Sequence, residues 1–184
     1  KRTKLLRLVW GDNVYQRRAC VGLSTGSLSP AGGTLRLREV IHRDQAFEWV
    51  RQEGSQIVWR TAAVSNDRDG FIADITEAEG PLQFHLDDSQ GLGVFDVKIP
   101  LEELLRTGHF SWQQTSDRIN HPYMQMMGVP VTFFLECDLV DPEGPLDLTL
   151  DYEDRESLKP GDYYYLRVEQ LDTNKAWSSP VWVN

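Results

Sequence analysis

Cysteine and histidine, the residues from which compact metal and nucleophile sites are built, are scarce in this chain, with two cysteines and four histidines among 184 residues. His42, His85, His109 and His121 never fall at the i, i+2 or i, i+4 spacing that turns two imidazoles toward one metal. Cys20 and Cys137 are far apart and match no metal-ligand pattern, which leaves two readings, buried free thiols or one long-range disulfide. A phosphate-cradling G-x-x-x-x-G-K-[ST] loop and a G-x-S-x-G nucleophile elbow are both absent. No apolar run approaches the roughly 18 residues of a membrane-spanning helix. Lys and Arg number 19 against 28 acidic residues, a net charge of −9. That balance argues against nucleic acid as a partner, because phosphate neutralisation needs clustered cations. It disfavours an anionic membrane surface for the same reason. The expectation from these absences is a protein without a cofactor and without a catalytic site of its own.

What the chain has instead is alternation. Leu6, Leu8 and Trp10 alternate with Arg7, and Gly11-Asp12-Asn13 signals a turn. The same period of two runs through Leu35 and Leu37, through Ile57, Trp59, Thr61 and Ala63, through Leu82, Phe84 and Leu86, and through Phe95, Val97 and Ile99. Strand-turn units recurring at roughly 8–12 residues predict an all-β protein, a two-sheet antiparallel β-sandwich of about ten strands. Hydrophobic residues make up 40% and charged residues 26%, which fits a chain that buries a core. Pro100 to Gly108 carries the Pro-start, Gly-end pattern of one short helix, and Arg43 to Gln52 is a second, weaker helical candidate. The basic opening, Lys1 to Arg7, reads as a first strand rather than a targeting segment. Because the chain starts at Lys1 rather than Met, it is expected to be a fragment of a larger protein, with one sandwich domain spanning 1–184.

Three segments attract functional readings. His109 to Gly128 breaks the alternation with Trp112, His121, Tyr123 and the methionines at 124, 126 and 127; it is expected to be an irregular insertion, either a plug over one end of the sandwich or a contact surface. His109 and His121 flank it and could converge on a metal or act as a base. Ser65 to Gly70 places Asp67 and Asp69 like the front of a calcium loop, but Thr76 stands where the closing Glu belongs, so a plain acidic turn explains it as well. Ser24 to Ser27 with Gly32-Gly33 reads as a flexible loop.

The closing residues are the most distinctive. Leu158, Pro160, Gly161 and Tyr164 have the spacing of a tyrosine corner, in which the Tyr hydroxyl bonds to backbone a few residues upstream. Alternation sends Tyr164, Leu166 and Val168 to one face and Tyr163, Tyr165 and Arg167 to the other. The second set forms a candidate ligand-binding strip for sugar or peptide stacking, or else it is covered by a partner. Trp177 and Trp182 are expected to divide between core and surface.

The run Asp162-Tyr-Tyr-Tyr-Leu-Arg-Val-Glu-Gln170, with Ala176-Trp-Ser-Ser-Pro-Val-Trp-Val183, resembles the tail of bacterial proteins in which a β-sandwich follows a metal-dependent hydrolase or phosphoesterase domain of the PHP type. Trp10-Gly11, Arg17-Arg18, Trp59-Arg60 and Asp67-Arg-Asp-Gly70 are similar to strand and turn positions of that sandwich, and the Leu-x-Pro-Gly…Tyr element also resembles fibronectin type III and immunoglobulin-like domains. The resemblance implies a non-catalytic accessory domain whose partner is an upstream catalytic domain of the same polypeptide, with no metal ligand in this chain. The alternative is an independent carbohydrate- or ligand-binding module using Tyr163, Tyr165 and Arg167.

Overall fold

The computed structural model describes residues 3–12, 22–41, 48–63, 68–88, 93–116, 131–140, 149–154, 158–170 and 175–183. The chain divides into two compact units, Lys1–Pro142 and Glu143–Asn184. In the first unit, β1 (Lys4–Asp12), β3 (Thr34–Ile41), β6 (Arg68–Thr76), β9 (His109–Ser116) and β10 (Val131–Val140) form one five-stranded sheet, ordered β3-β6-β1-β10-β9. The second sheet holds β2 (Gly22–Pro30), β4 (Trp49–Glu53), β5 (Gln56–Ala63), β7 (Leu82–Asp88) and β8 (Gly93–Ile99), ordered β4-β5-β2-β7-β8. Every pairing is antiparallel. This is the two-sheet β-sandwich that the alternation predicts.

Its core is the set of inward positions read from the period of two. Leu6, Leu8 and Trp10 of β1 meet Ile57 and Trp59 of β5, Phe84 and Leu86 of β7, and Phe71 of β6, all buried. Trp10 and Trp59, on different sheets, stack with ring centroids 4.4 Å apart, and Phe71 and Phe84 pack around them at 5.5–6.2 Å. Burying each indole removes roughly 200 Å² from water, about 5 kcal/mol at 25 cal/mol per Å². Neither indole N–H has a hydrogen-bond partner, so area and ring contact hold the pair against a desolvation cost of about 1–3 kcal/mol for each donor.

Two glycines permit this packing. A Cβ at Gly26 of β2 would collide with the Trp59 ring and the His85 carbonyl, and one at Gly70 of β6 with the Leu8 carbonyl. Gly70 therefore lies inside a strand at a close β1–β6 approach, not at the apex of a calcium-type turn; residues 65–67 of that candidate loop lie outside the described residues. α1 (Leu101–Thr107) follows its sequence signals: Pro100 precedes it, Leu101 and Leu104 are buried, and Gly108 ends it at φ 77° by donating its N–H to the Leu104 carbonyl at 2.8 Å.

Several local expectations are corrected. Ser24 to Ser27 belongs to strand β2 rather than a loop. Trp49–Glu53 is strand β4, so its part of the candidate helix is extended; pairing with β5, from Trp49–Arg60 to Glu53–Gln56, overrides a weak local preference. The expected irregular insertion begins with a strand, β9, whose Phe110 and Trp112 pack on the core; residues 117–130, with His121 and the methionines, lie outside the described residues. Among the described residues, β10 is the last strand of the sandwich sheets and the closing strands pair with one another.

The glycine beneath Trp59 gives a direct test. Gly26→Ala should destabilise the protein by about 1–3 kcal/mol, whereas Gly32→Ala, whose added methyl would meet nothing nearer than Glu79 Cβ at 3.4 Å, should be nearly neutral. Urea unfolding midpoints distinguish them.

Candidate functional site: a hairpin exposed on both faces

The second unit is built on one hairpin. Its entry is a tight turn in which Asp162 N–H donates to the Lys159 carbonyl at 3.0 Å. Pro160 and Gly161 occupy its centre, and Gly161 has φ 97°, the arrangement of a type II turn. The Asp162 carboxylate accepts the Lys159 N–H at 2.8 Å and fixes the turn from the other side. From there β11 (Tyr163–Tyr164) pairs with β14 (Val181–Trp182), and β12 (Arg167–Glu169) pairs with β13 (Lys175–Trp177). Ser178 joins the two ladders: its N–H donates to the Leu166 carbonyl and its Oγ accepts the Leu166 N–H, both at 2.9 Å.

The ladders are out of step by one residue. Tyr164 to Arg167 takes three residue steps, while Trp177 to Val181 opposite takes four. This is a bulge in the second strand, at the stretch where Pro180 has no N–H to give a ladder. Its consequence is large. Trp177 and Trp182 are an odd number of residues apart and would face opposite ways in a regular strand. With the bulge, Trp182 opposes Tyr163 and Trp177 opposes Arg167. Tyr163 and Tyr165 lie nearly parallel at 6.3 Å, and Tyr163 meets Trp182 at 5.0 Å. Tyr163, Tyr165, Trp177 and Trp182 are each 54–60% exposed. The candidate strip of Tyr163, Tyr165 and Arg167 thus gains two indoles. The expectation that Trp177 and Trp182 divide between core and surface is corrected: both are at the surface. Alternation alone pointed the wrong way here, and Pro180 was the signal for the bulge.

The other face carries a groove of about 930 Å³, lined by Leu150, Leu158, Leu166, Val168 and Val181 with Tyr152 and Tyr164, while Tyr165 and Arg167 border it as well. Every one of these seven apolar or aromatic lining residues is exposed. Tyr164 does not make the backbone bond of a tyrosine corner. Its hydroxyl donates to Asp154 Oδ2 at 2.5 Å, a side chain ten positions upstream. That bond, then burial and the nearby charges of Asp154 and Asp162, push the phenol up to about 12.

The remaining sequence candidates disperse. His109 Nδ1 and Arg7 Nη1 both bond Asp138, at 2.7 and 2.8 Å, in a row across β9, β10 and β1. His85 pairs with Asp96 across β7 and β8 at 2.8 Å, on the outward face as expected. Asp138 was not singled out in the sequence, and only register brings it between Arg7 and His109. Cys137 is a free, fully buried thiol. Burial, reinforced by Asp138, pushes its pKa well above the ordinary thiol value and so favours the protonated thiol. Cys20 lies outside the described residues. Among the described residues, no three His, Cys, Asp or Glu side chains are grouped to hold a metal, and no helix is long and apolar enough to cross a membrane.

No protein-family model, curated protein or solved structure matches the chain.

The Tyr164–Asp154 bond favours the protonated phenol. Its stabilisation is complete below the ordinary tyrosine pKa of 10 and is lost as pH rises through about 12. Absorbance titration at 295 nm should resolve one tyrosine ionising near 12, and Asp154→Ala should return it toward 10.

Proposed function

We propose that the chain is a non-catalytic accessory domain whose closing hairpin docks a partner domain into the Leu166–Val168 groove. The observation that carries this reading is the exposure of Leu150, Tyr152, Leu158, Leu166, Val168 and Val181 around one groove. Monomeric proteins rarely leave a contiguous apolar patch of this kind uncovered, and such patches mark interaction surfaces. Among the described residues the hairpin's strands are two and three residues long and each pairs on one side, which gives the groove no second layer. The sandwich then acts as the scaffold that carries the hairpin.

The resemblance of the closing run to the tail of PHP-type proteins supports a metal-dependent hydrolase domain of the same polypeptide as the partner. In that arrangement the chemistry resides in the catalytic domain, and this domain holds its fold and contributes a wall or rim to the cleft. Among the described residues, the buried Cys137 thiol with its raised pKa and the separate cross-strand pairs of His85 and His109 are consistent with that division of labour.

The test has two arms. The gene should encode, ahead of Lys1, a domain with clustered metal-binding histidines; a reading frame with nothing ahead of it would overturn the proposal. In the joined protein, Leu166→Asp and Val168→Asp should each weaken docking by about 2 kcal/mol, roughly thirtyfold, by placing a carboxylate in an apolar contact. Variants that melt and resist proteolysis like the parent would count against the groove as the contact.

A further inference from the structure

We infer that the opposite face of the hairpin is a binding platform for a chain of neutral sugar rings. The argument starts from the bulge. By setting Trp182 against Tyr163 and Trp177 against Arg167, it places three contacting rings, Tyr165, Tyr163 and Trp182, on one face with a fourth exposed ring, Trp177, opposite Arg167. A regular hairpin would have sent one tryptophan into the groove.

Ring geometry narrows the ligand. A flat group wedged between two side-chain rings needs about 7 Å between them, twice the optimal carbon–carbon contact. The spacings are 5.0 Å for Tyr163–Trp182 and 6.3 Å for Tyr163–Tyr165. Neither admits a third ring, so proline rings and planar heterocycles cannot slot into the row. A ligand must instead lie along it. The planes of Tyr163 and Trp182 are inclined at 43° and those of Tyr163 and Tyr165 at 18°, a twisting surface that suits a twisting chain better than a rigid sheet.

Charge and hydrogen-bonding character select among such chains. Single-stranded nucleic acid stacks on aromatics but also needs a cationic track, and this chain has a net charge of −9. The groups around the strip are two phenol hydroxyls, two indole N–H donors and the Arg167 guanidinium, which are mostly donors. A pyranose presents what they require: C–H faces for the rings and a rim of hydroxyl and ring oxygens for the donors. Arg167 and Lys175, the latter two residues before Trp177 in β13, are the cations of this face, and the chain as a whole is acidic, which favours neutral over polyanionic sugars. Tyr165 and Arg167 also border the groove, whereas Tyr163, Trp177 and Trp182 do not line it, so loss of binding in the tryptophan variants reports on this face rather than on the groove.

Affinity electrophoresis of the whole chain through gels containing soluble β-glucan, xylan, starch or heparin tests this, with a glycan array to widen the neutral panel. At least one neutral polysaccharide should retard the protein and heparin should not. Trp177→Ala and Trp182→Ala should each weaken retention about tenfold or more, and Tyr163→Ala/Tyr165→Ala should abolish it. Leu166→Asp, on the groove face, should bind sugar like the parent, which separates this platform from the docking reading. Near-ultraviolet circular dichroism of the Trp10–Trp59 core checks that each variant keeps its sandwich. No retention on any neutral sugar, retention that survives the double tyrosine variant, or saturable binding of a proline-rich peptide in place of sugar would each overturn the inference.

Discussion

The sandwich depends on one contact, the stacking of Trp10 from one sheet on Trp59 from the other at 4.4 Å. Two sheets with inward aliphatic faces can slide over one another at little cost, since hydrophobic burial has no direction. A pair of indoles flanked by Phe71 and Phe84 cannot slide, because each ring fits a space shaped by the others. The contact also reaches back into the sequence. Trp59 lies against β2 only because Gly26 has no side chain, and the β1 strand that carries Trp10 approaches β6 closely only because Gly70 has none.

That arrangement leaves few polar groups in the interior, among them Ser24, Thr61, Glu48 and Asp69. The described histidines lie in cross-strand pairs outside the aromatic core: Arg7–Asp138–His109 on one sheet, with Arg7 itself buried, and His85–Asp96 on the other. His85 and His109 each have a carboxylate neighbour, but the two lie on different sheets. Cys137 points inward, and burial favours its protonated form. The exposed apolar and aromatic side chains of the closing hairpin contrast with that filled interior.

Much of this was legible along the chain. The inward residues of β1, β5, β7 and β8 follow the period of two, and α1 begins after Pro100 and ends at Gly108 as its sequence signals require. The failures share one physical cause. Trp49–Glu53 has no strong extended signal of its own and becomes a strand because β5 lies beside it. His109–Ser116 reads as irregular until β10 supplies its register. Tyr164 sits where a tyrosine corner is expected, yet its hydroxyl finds Asp154, whose place near the turn depends on the path of the intervening chain.

The candidate site shows the same division more sharply. The sequence by itself determined an all-β chain, the faces of its strands, the short helix and the tyrosine-rich turn at its end, because alternation, Pro and Gly act within a few residues. Only the tertiary structure decided that the closing strands pair with each other outside the sandwich sheets, and that a bulge near Pro180 brings Trp177 and Trp182 to the Tyr163 face. Register is a relation between two distant segments, and a shift of one residue exchanges the faces of everything beyond it.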